Sequence, residues 1–335
     1  MIDAYAAPHA GAMLEPFQYA SNELGPMEVE IAVSHCGICH SDVHLIDNDW
    51  GVSAYPLVPG HEIVGVASRV GAVVTHLSSG QRVGVGWLAG SCMNCQQCVN
   101  GNENLCRQAR PTCVGRHGGY APTVVADARF AIAIPDVLPS ELAAPLLCAG
   151  VTVFAPLKRQ RLMKSARVGI VGLGGLGHLA VQFAKAMGYD VTVISRSANK
   201  QDDARALGAD RYVDSAAHGA LSAAANSCDL VLSTVPVSLA WPLYLNMLKP
   251  NGHLCIVGAS PGELCVPAFA LIDGQKIIGG SAVGSNRELA EMFRFAAEHR
   301  IAPRVERFAL NDVNAALARL RNGQTRFRAV LVVES

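Results

Sequence analysis

Residues Arg167–Gly188 read RVGIVGLGGLGHLAVQFAKAMG, and the fold follows from this stretch. The apolar run Val168–Val171 leads straight into Gly172-Leu173-Gly174-Gly175-Leu176-Gly177, a helix-like run follows, and a second strand-like run, DVTVIS, starts at Asp190. A G-x-G-x-x-G string says little alone. Between a strand and a helix it reads as a dinucleotide-binding turn. Gly172 permits the tight bend, Gly174 lets the backbone approach a pyrophosphate on the helix N-terminus, and Gly177 lets helix and strand pack closely.

The same rhythm continues outward. KQDDARALG, DLVLSTV, LAWPLYLNMLK and HLCIVG alternate helix-like and strand-like runs as far as KIIGGSAV (276–283), which predicts a doubly wound parallel sheet. Before it, short β-branched runs stand between Gly- and Pro-rich turns: VEIAV (29–33), EIVGVASRV (62–70), RVGVGW (82–87) and APTVVA (121–126). After residue 284 come a helix (ELAEMFRFAAEHR), a shorter one (VNAALARLRNG) and a last strand (FRAVLVV) that returns to the first domain. The expectation is an α/β protein with residues 150–283 as the nucleotide domain and residues 1–149 with 284–335 as an irregular β domain. A length of 335 residues exceeds what one hydrophobic core normally serves.

Composition narrows the class. Twenty-seven basic and 27 acidic residues cancel, which argues against a nucleic-acid or anionic-membrane partner. MIDAYAAPHA lacks the basic and apolar regions of a signal peptide, and the most apolar stretches are broken by Gly and Pro before they reach membrane-spanning length. Eleven cysteines without an export signal suit a reducing cytoplasm.

Four of those cysteines, Cys92, Cys95, Cys98 and Cys106, are spaced C-x2-C-x2-C-x7-C in CMNCQQCVNGNENLC. One short loop can wrap an ion with four sulfurs at this spacing, as in a closed structural zinc site. The loop has little apolar content to hold its shape, so metal binding and local folding are one event. Two disulfides are the alternative, and a cytosolic chain would not keep them. Cys39, His61 and Cys148 are candidates for a second, open zinc: two thiolates and a neutral imidazole leave the ion uncharged, with one position free.

Cofactor choice is set after the second strand of the nucleotide domain. An NAD site places an acidic residue there, whereas this chain has Ser195-Arg196-Ser197-Ala198-Asn199-Lys200. A carboxylate would repel a 2′-phosphate; Ser195, Arg196, Ser197 and Lys200 would bind it, so NADP(H) is expected. A solvated loop indifferent to the phosphate is the alternative.

Together, Gly60-His61-Glu62 with Gly65 and Gly71, the four-cysteine loop and GLGGLG resemble the zinc-dependent medium-chain alcohol dehydrogenases along the whole chain. HCGICHSDVH, LLCAGVTVF and the serine-rich loop resemble the cinnamyl alcohol dehydrogenase group. IDNDWGVSAYPLVPGHE and GVGWLAGSC resemble its bacterial NADPH-dependent aldehyde reductases. The resemblance implies a GroES-like catalytic domain beside a Rossmann domain, with two zinc ions per chain. It makes Cys39, His61 and Cys148 ligands of the catalytic zinc, Glu62 a carboxylate beside it, and Asp42 the partner that orients a ligand histidine. It also implies that Ser41 and His44 relay a proton, that His40, Thr152 and Arg328 contact the cofactor, and that Trp50 and Trp87 line the substrate pocket.

The implied reaction is hydride transfer between NADPH and an aliphatic or aromatic aldehyde. Alcohol or polyol oxidation is the alternative within enzymes, and a zinc-ribbon binding module the alternative outside them. A homodimer or tetramer is expected, joined through the strand within 276–283. Cys36, Cys113, Cys228, Cys255 and Cys265 receive no role.

Overall fold

The computed structural model describes every residue except 22, 260, 261, 334 and 335. The chain divides into two compact units, Met1–Val151 with Gly284–Ser335, and Thr152–Val283.

In the first unit the long strand Glu28–Ile38 is central. It pairs antiparallel with Glu62–Val70, Thr123–Asp127 and the C-terminal Arg328–Val332, which continues to Val305–Ala309 in parallel. Glu62–Val70 passes the sheet on to Arg82–Val85 and Ile132–Ala133. Ile31, Ile38, Ile63, Val83 and Val85 are fully buried, so β-branched side chains of neighbouring strands make one core. Gly65 marks a close approach of strands: a Cβ there would lie 2.1 Å from the Ala32 carbonyl oxygen. A hairpin of Ile2–Ala6 and Glu15–Tyr19 stands apart from this sheet.

The second unit is a six-stranded, all-parallel sheet in the order Arg211–Asp214, Asp190–Ser195, Arg167–Val171, Cys228–Ser233, Leu248–Ile256, Ile277–Gly280. Numbered along the chain, this order is 3-2-1-4-5-6, the doubly wound arrangement whose strand order reverses beside the first strand. The glycine turn lies at that reversal. Ile277–Gly280 is an edge strand, and Ile277 is 57% exposed.

One helical run, Ser140–Arg159, has the length and composition of a membrane span, despite Pro145, Gly150 and Pro156 within it; 83% of its apolar window is buried in the fold. Its apolar surface is core.

Candidate metal centres and nucleotide turn

The first metal cluster is assembled from three distant segments. Glu28–Ile38 delivers the chain to Cys39, which is the N-cap of the helix His40–Asp47. Asp42, at the third helical position, closes a capping box by accepting the Cys39 amide at 2.9 Å. The other oxygen of Asp42 accepts the Gly60 amide at 3.0 Å and His61 Nδ1 at 2.9 Å. One buried carboxylate therefore caps the helix and turns the imidazole so that Nε2 faces away from it. Cys148 comes from a π-helical turn, Leu146–Gly150, set between α-helices Ser140–Pro145 and Val151–Arg159. Such single π turns re-aim a side chain out of the helical register.

Donor atoms of Cys39, His61, Glu62 and Cys148 lie within 4.8 Å of one another, and all four residues are buried. His61 Nε2 is buried and has no hydrogen-bond partner among the described residues. A buried ring nitrogen left without a partner costs about 1–3 kcal/mol, which a metal ion at this point would recover. The Cys148 thiol beside Cys39 holds the Cys39 thiol well below its ordinary range, and Cys39 pushes Cys148 up in turn. Burial disfavours charge on His61, but the Asp42 carboxylate and Cys148 override it and raise the imidazole.

Glu62 and Arg328 form a buried ion pair. They begin two strands that flank opposite edges of Glu28–Ile38. Gly37, facing Glu62 across the ladder, leaves the space: a Cβ there would lie 1.9 Å from Glu62 Oε2. Burial pushes the Glu62 carboxyl up, and the Arg328 guanidinium pulls it back toward the charged form. Arg328, which the family resemblance makes a cofactor contact, is 2% exposed and pairs with Glu62 through one terminal nitrogen, its Nε having no hydrogen-bond partner among the described residues.

Ser41 Oγ lies 3.7 Å from Cys39 Sγ. His44, on the next helical turn, holds Asp49 through Nδ1 at 2.7 Å. Asp49 escaped the sequence reading. Asn48 turns left-handed and ends the helix, folding Asp49 back onto His44, and a spacing of five residues is no helical signal. Four rings run on from there: His44 against Trp50 at 5.1 Å, Trp50 edge-on to Trp87 at 5.8 Å, and Trp87 edge-on to His61 at 5.1 Å. Trp50 and Trp87 thus stand between the two histidines.

In the four-cysteine loop, Cys92–Cys98, Cys95–Cys98 and Cys106–Cys92 sulfurs lie 3.8, 3.6 and 3.5 Å apart. Four sulfurs about 2.3 Å from one tetrahedral zinc are about 3.8 Å apart, whereas a disulfide is about 2.05 Å long. These separations fit the ion and exclude disulfides. Amides point at the sulfurs, Cys95 N at Cys92 (3.4 Å) and Gln108 N at Cys106 (3.3 Å), and the Asn94 and Cys95 amides bring the Cys92 thiol down to about 6.

In the second unit each glycine of the turn has a distinct environment. Gly172 has φ +91, a left-handed conformation. A Cβ on Gly177 would lie 1.9 Å from the Gly172 carbonyl oxygen, and one on Gly174 would project into open space. Gly177 thus serves packing, and the space over Gly174 fits an approaching phosphate. Leu176 caps the helix Gly177–Ala186 without a side-chain bond to the free amides, and Gly175 precedes it in the turn. Thr234 Oγ1 pins the turn from the neighbouring strand, donating to the Val171 carbonyl at 2.8 Å. Ser195 ends its strand, Arg196 is exposed, and Tyr212 OH holds the Ser197 carbonyl at 2.7 Å. Lys200 Nζ reaches back to the Leu173 carbonyl at 2.9 Å, so the serine-rich loop and the glycine turn lie together. Thr152 is buried, and His40 is exposed.

A two-domain fold with a doubly wound nucleotide sheet, a four-sulfur site and a Cys-His-Cys cluster defines a zinc-dependent oxidoreductase. Residues 25–136 match the alcohol dehydrogenase GroES-like domain and residues 175–298 match the zinc-binding dehydrogenase family. The chain belongs to the zinc-binding alcohol dehydrogenase family. It is 44% identical over 331 residues to the aldehyde reductase AdhA of Synechocystis sp., covering 99% of this chain and 98% of that protein. The cinnamyl alcohol dehydrogenase SbCAD4 of Sorghum bicolor superimposes with TM-score 0.96 at 40% identity, covering 99% of this chain and 97% of that one. The cinnamyl alcohol dehydrogenase of Helicobacter pylori, solved with NADP(H), gives 0.92 at 33%, over 99% and 97%.

Proposed function

We propose that this protein is an NADPH-dependent aldehyde reductase that converts aliphatic and aromatic aldehydes to primary alcohols. The observation that carries the reading is the buried Cys39, His61, Cys148 cluster with His61 Nε2 unpartnered among the described residues. Its likeness to an aldehyde reductase and to cinnamyl alcohol dehydrogenases supports the substrate class.

Cys39, His61 and Cys148 would hold the catalytic zinc, and Cys92, Cys95, Cys98 and Cys106 the structural one. Zinc supplies Lewis acidity toward a carbonyl oxygen, and NADPH supplies the hydride. The chain's own residues manage the proton and the geometry. Ser41 Oγ donates to the product oxygen. His44 resupplies the proton from the surface, with Asp49 on Nδ1 fixing the ring. Trp50 and Trp87 form an apolar wall that keeps water from the reacting carbonyl and accepts a flat or extended aldehyde chain. Asp42 orients His61, and Glu62 stands beside the metal with its charge balanced by Arg328.

Gly172, Gly174, Gly175, Leu176 and Gly177 would carry the pyrophosphate, with His40 and Thr152 as further cofactor contacts. Ser195, Arg196, Ser197 and Lys200 would meet the 2′-phosphate. Arg328 would contact the cofactor as well: its pairing with Glu62 goes through one terminal nitrogen and leaves Nε without a hydrogen-bond partner among the described residues. The domain limits proposed are 1–149 with 284–335, and 150–283. Eleven cysteines with no disulfide between them support a cytoplasmic setting.

Absorbance of the reduced nicotinamide tests the reading directly, with cinnamaldehyde or a medium-chain aldehyde as substrate. NADPH is expected to exceed NADH at least tenfold in kcat/KM, about 1.4 kcal/mol of transition-state discrimination, and a chelator to stop consumption. Equal use of both cofactors would refute the loop assignment, and chelator-insensitive turnover the metal assignment. The exposed edge strand Ile277–Gly280, with Ile272 and Phe269 also exposed nearby in sequence, supports a homodimer joined edge to edge. Light scattering should give about twice the chain mass; a monomer would refute it.

A further inference from the structure

Cys113 is one of the five cysteines without a role, and it lies against the proposed zinc histidine. Its sulfur, a ring nitrogen of His61 and a carboxylate oxygen of Asp42 lie within 4.8 Å of one another, and all three residues are fully buried. The Cys113 sulfur does not belong to the four-donor cluster of Cys39, His61, Glu62 and Cys148. The segment that carries it is anchored: Thr112 donates its amide to the Trp87 carbonyl at 2.9 Å and its hydroxyl to the Gly86 carbonyl at 2.5 Å. Gly60, which precedes His61, sits so tightly that a Cβ would lie 2.6 Å from the Tyr120 ring and 2.8 Å from Cys36 Sγ.

Two uses of this triad are chemically open. A second metal would need Asp42 as a ligand, but Asp42 already accepts three N–H groups, from Cys39, Gly60 and His61. Stripping them would uncap the helix and release the His61 ring. Positioning costs nothing of this kind. The single bond from Asp42 fixes which nitrogen of His61 carries the proton, but a single bond leaves the ring free to rock about it. A thiol within 4.8 Å of both groups can offer the ring a second, weak polar contact that limits this freedom.

We propose that Cys113 is a positioning residue for the metal-binding histidine: its polar thiol, within reach of His61 and Asp42, holds the imidazole so that Nε2 stays aimed at Cys39 and Cys148. The proposal rests on the zinc assignment made above for those three residues. Thiols are weak hydrogen-bonding groups, yet a buried one both packs and bonds, so volume and polarity must be tested separately.

Cys113→Ser keeps a polar atom, Cys113→Val keeps volume, and Cys113→Ala keeps neither; misfolding of one apolar variant leaves the other to decide. Zinc release to a chromophoric chelator and the visible spectrum of the Co(II)-substituted protein are measured for each. Both apolar variants are expected to lose one zinc per chain on the order of tenfold faster than wild type, with shifted Co(II) bands. Cys113→Ser should release zinc within about twofold of wild type, as rescue by the conservative variant requires. Wild-type release and spectra in the apolar variants would overturn the proposal. A serine variant as leaky as alanine would reduce Cys113 to a packing role and overturn it too. A third zinc per wild-type chain, lost in all three variants, would make the triad a metal site instead. A wild-type chain that holds only the zinc of the four-cysteine loop would overturn the metal assignment itself, a failure visible before any variant is made.

Discussion

Cys39→Ala is expected to lower kcat by at least about three orders of magnitude, roughly 4 kcal/mol of lost transition-state stabilisation. The substitution removes one of three donors from a cluster whose remaining atoms, His61 Nε2 and the Cys148 thiol, cannot hold zinc in the same open geometry. The backbone should survive, because the half of the capping box in which Asp42 accepts the Cys39 amide does not depend on the Cys39 side chain. NADPH binding should stay within about threefold, a change of under 1 kcal/mol, since the residues assigned to the cofactor's phosphates belong to the glycine turn and the Ser195–Lys200 loop. Steady-state turnover and a nucleotide fluorescence titration, run on the same preparation, separate the two. Turnover at more than a few percent of wild type would refute the assignment of Cys39.

The comparison that sharpens this test is Cys36, three residues earlier in the same C-x-x-C. From sequence alone, either cysteine of the pair is a plausible ligand. Cys36 lies inside the long central strand, fully buried, with its sulfur close to Gly60 and Gly119, and burial pushes its thiol well up. Cys39 lies one residue past the strand's end, where the chain turns into the helix. Cys36→Ala should therefore keep its zinc and most of its activity.

What the sequence made legible is what adjacent residues encode. The strand, glycine turn and helix of Arg167–Gly188 are one local pattern, and each glycine carries its own steric reason. The four-cysteine loop is local too. Strands without alternation were lost: Arg211–Asp214 is partly exposed along its length and is tied down by Arg211 reaching across to Asp190 at 2.6 Å. The hairpin Ile2–Tyr19 carries only weak patterning and was lost for the same reason. The π turn that re-aims Cys148 has no signature of its own beyond Pro145 and Gly150 nearby. Arg328 and Glu62 are 266 residues apart, and only the pairing of both their strands with Glu28–Ile38 brings them together.

That pair gives the largest stability effect expected in the molecule. Arg328→Ala should cost about 3–5 kcal/mol, the usual penalty for leaving one partner of a buried ion pair uncompensated. The side chains are 3% and 0% exposed, so water cannot solvate the stranded Glu62 carboxylate. Burial pushes that carboxyl up even beside the guanidinium, and without the guanidinium the group would sooner take up a proton than stay charged, which holds the cost near the lower figure at neutral pH. The pair itself need not be strongly stabilising, because bringing two charges out of water consumes much of what their attraction returns. Glu62→Gln combined with Arg328→Met should accordingly recover most of the loss, by replacing a charged pair with neutral groups of similar size. The urea midpoint of the single and double variants measures both statements. An Arg328→Ala midpoint equal to wild type would mean that Glu62 is hydrated or already neutral in the folded protein. A double variant as unstable as the single one would mean that Arg328 stabilises through packing of its stem against the strands beside it and not through charge.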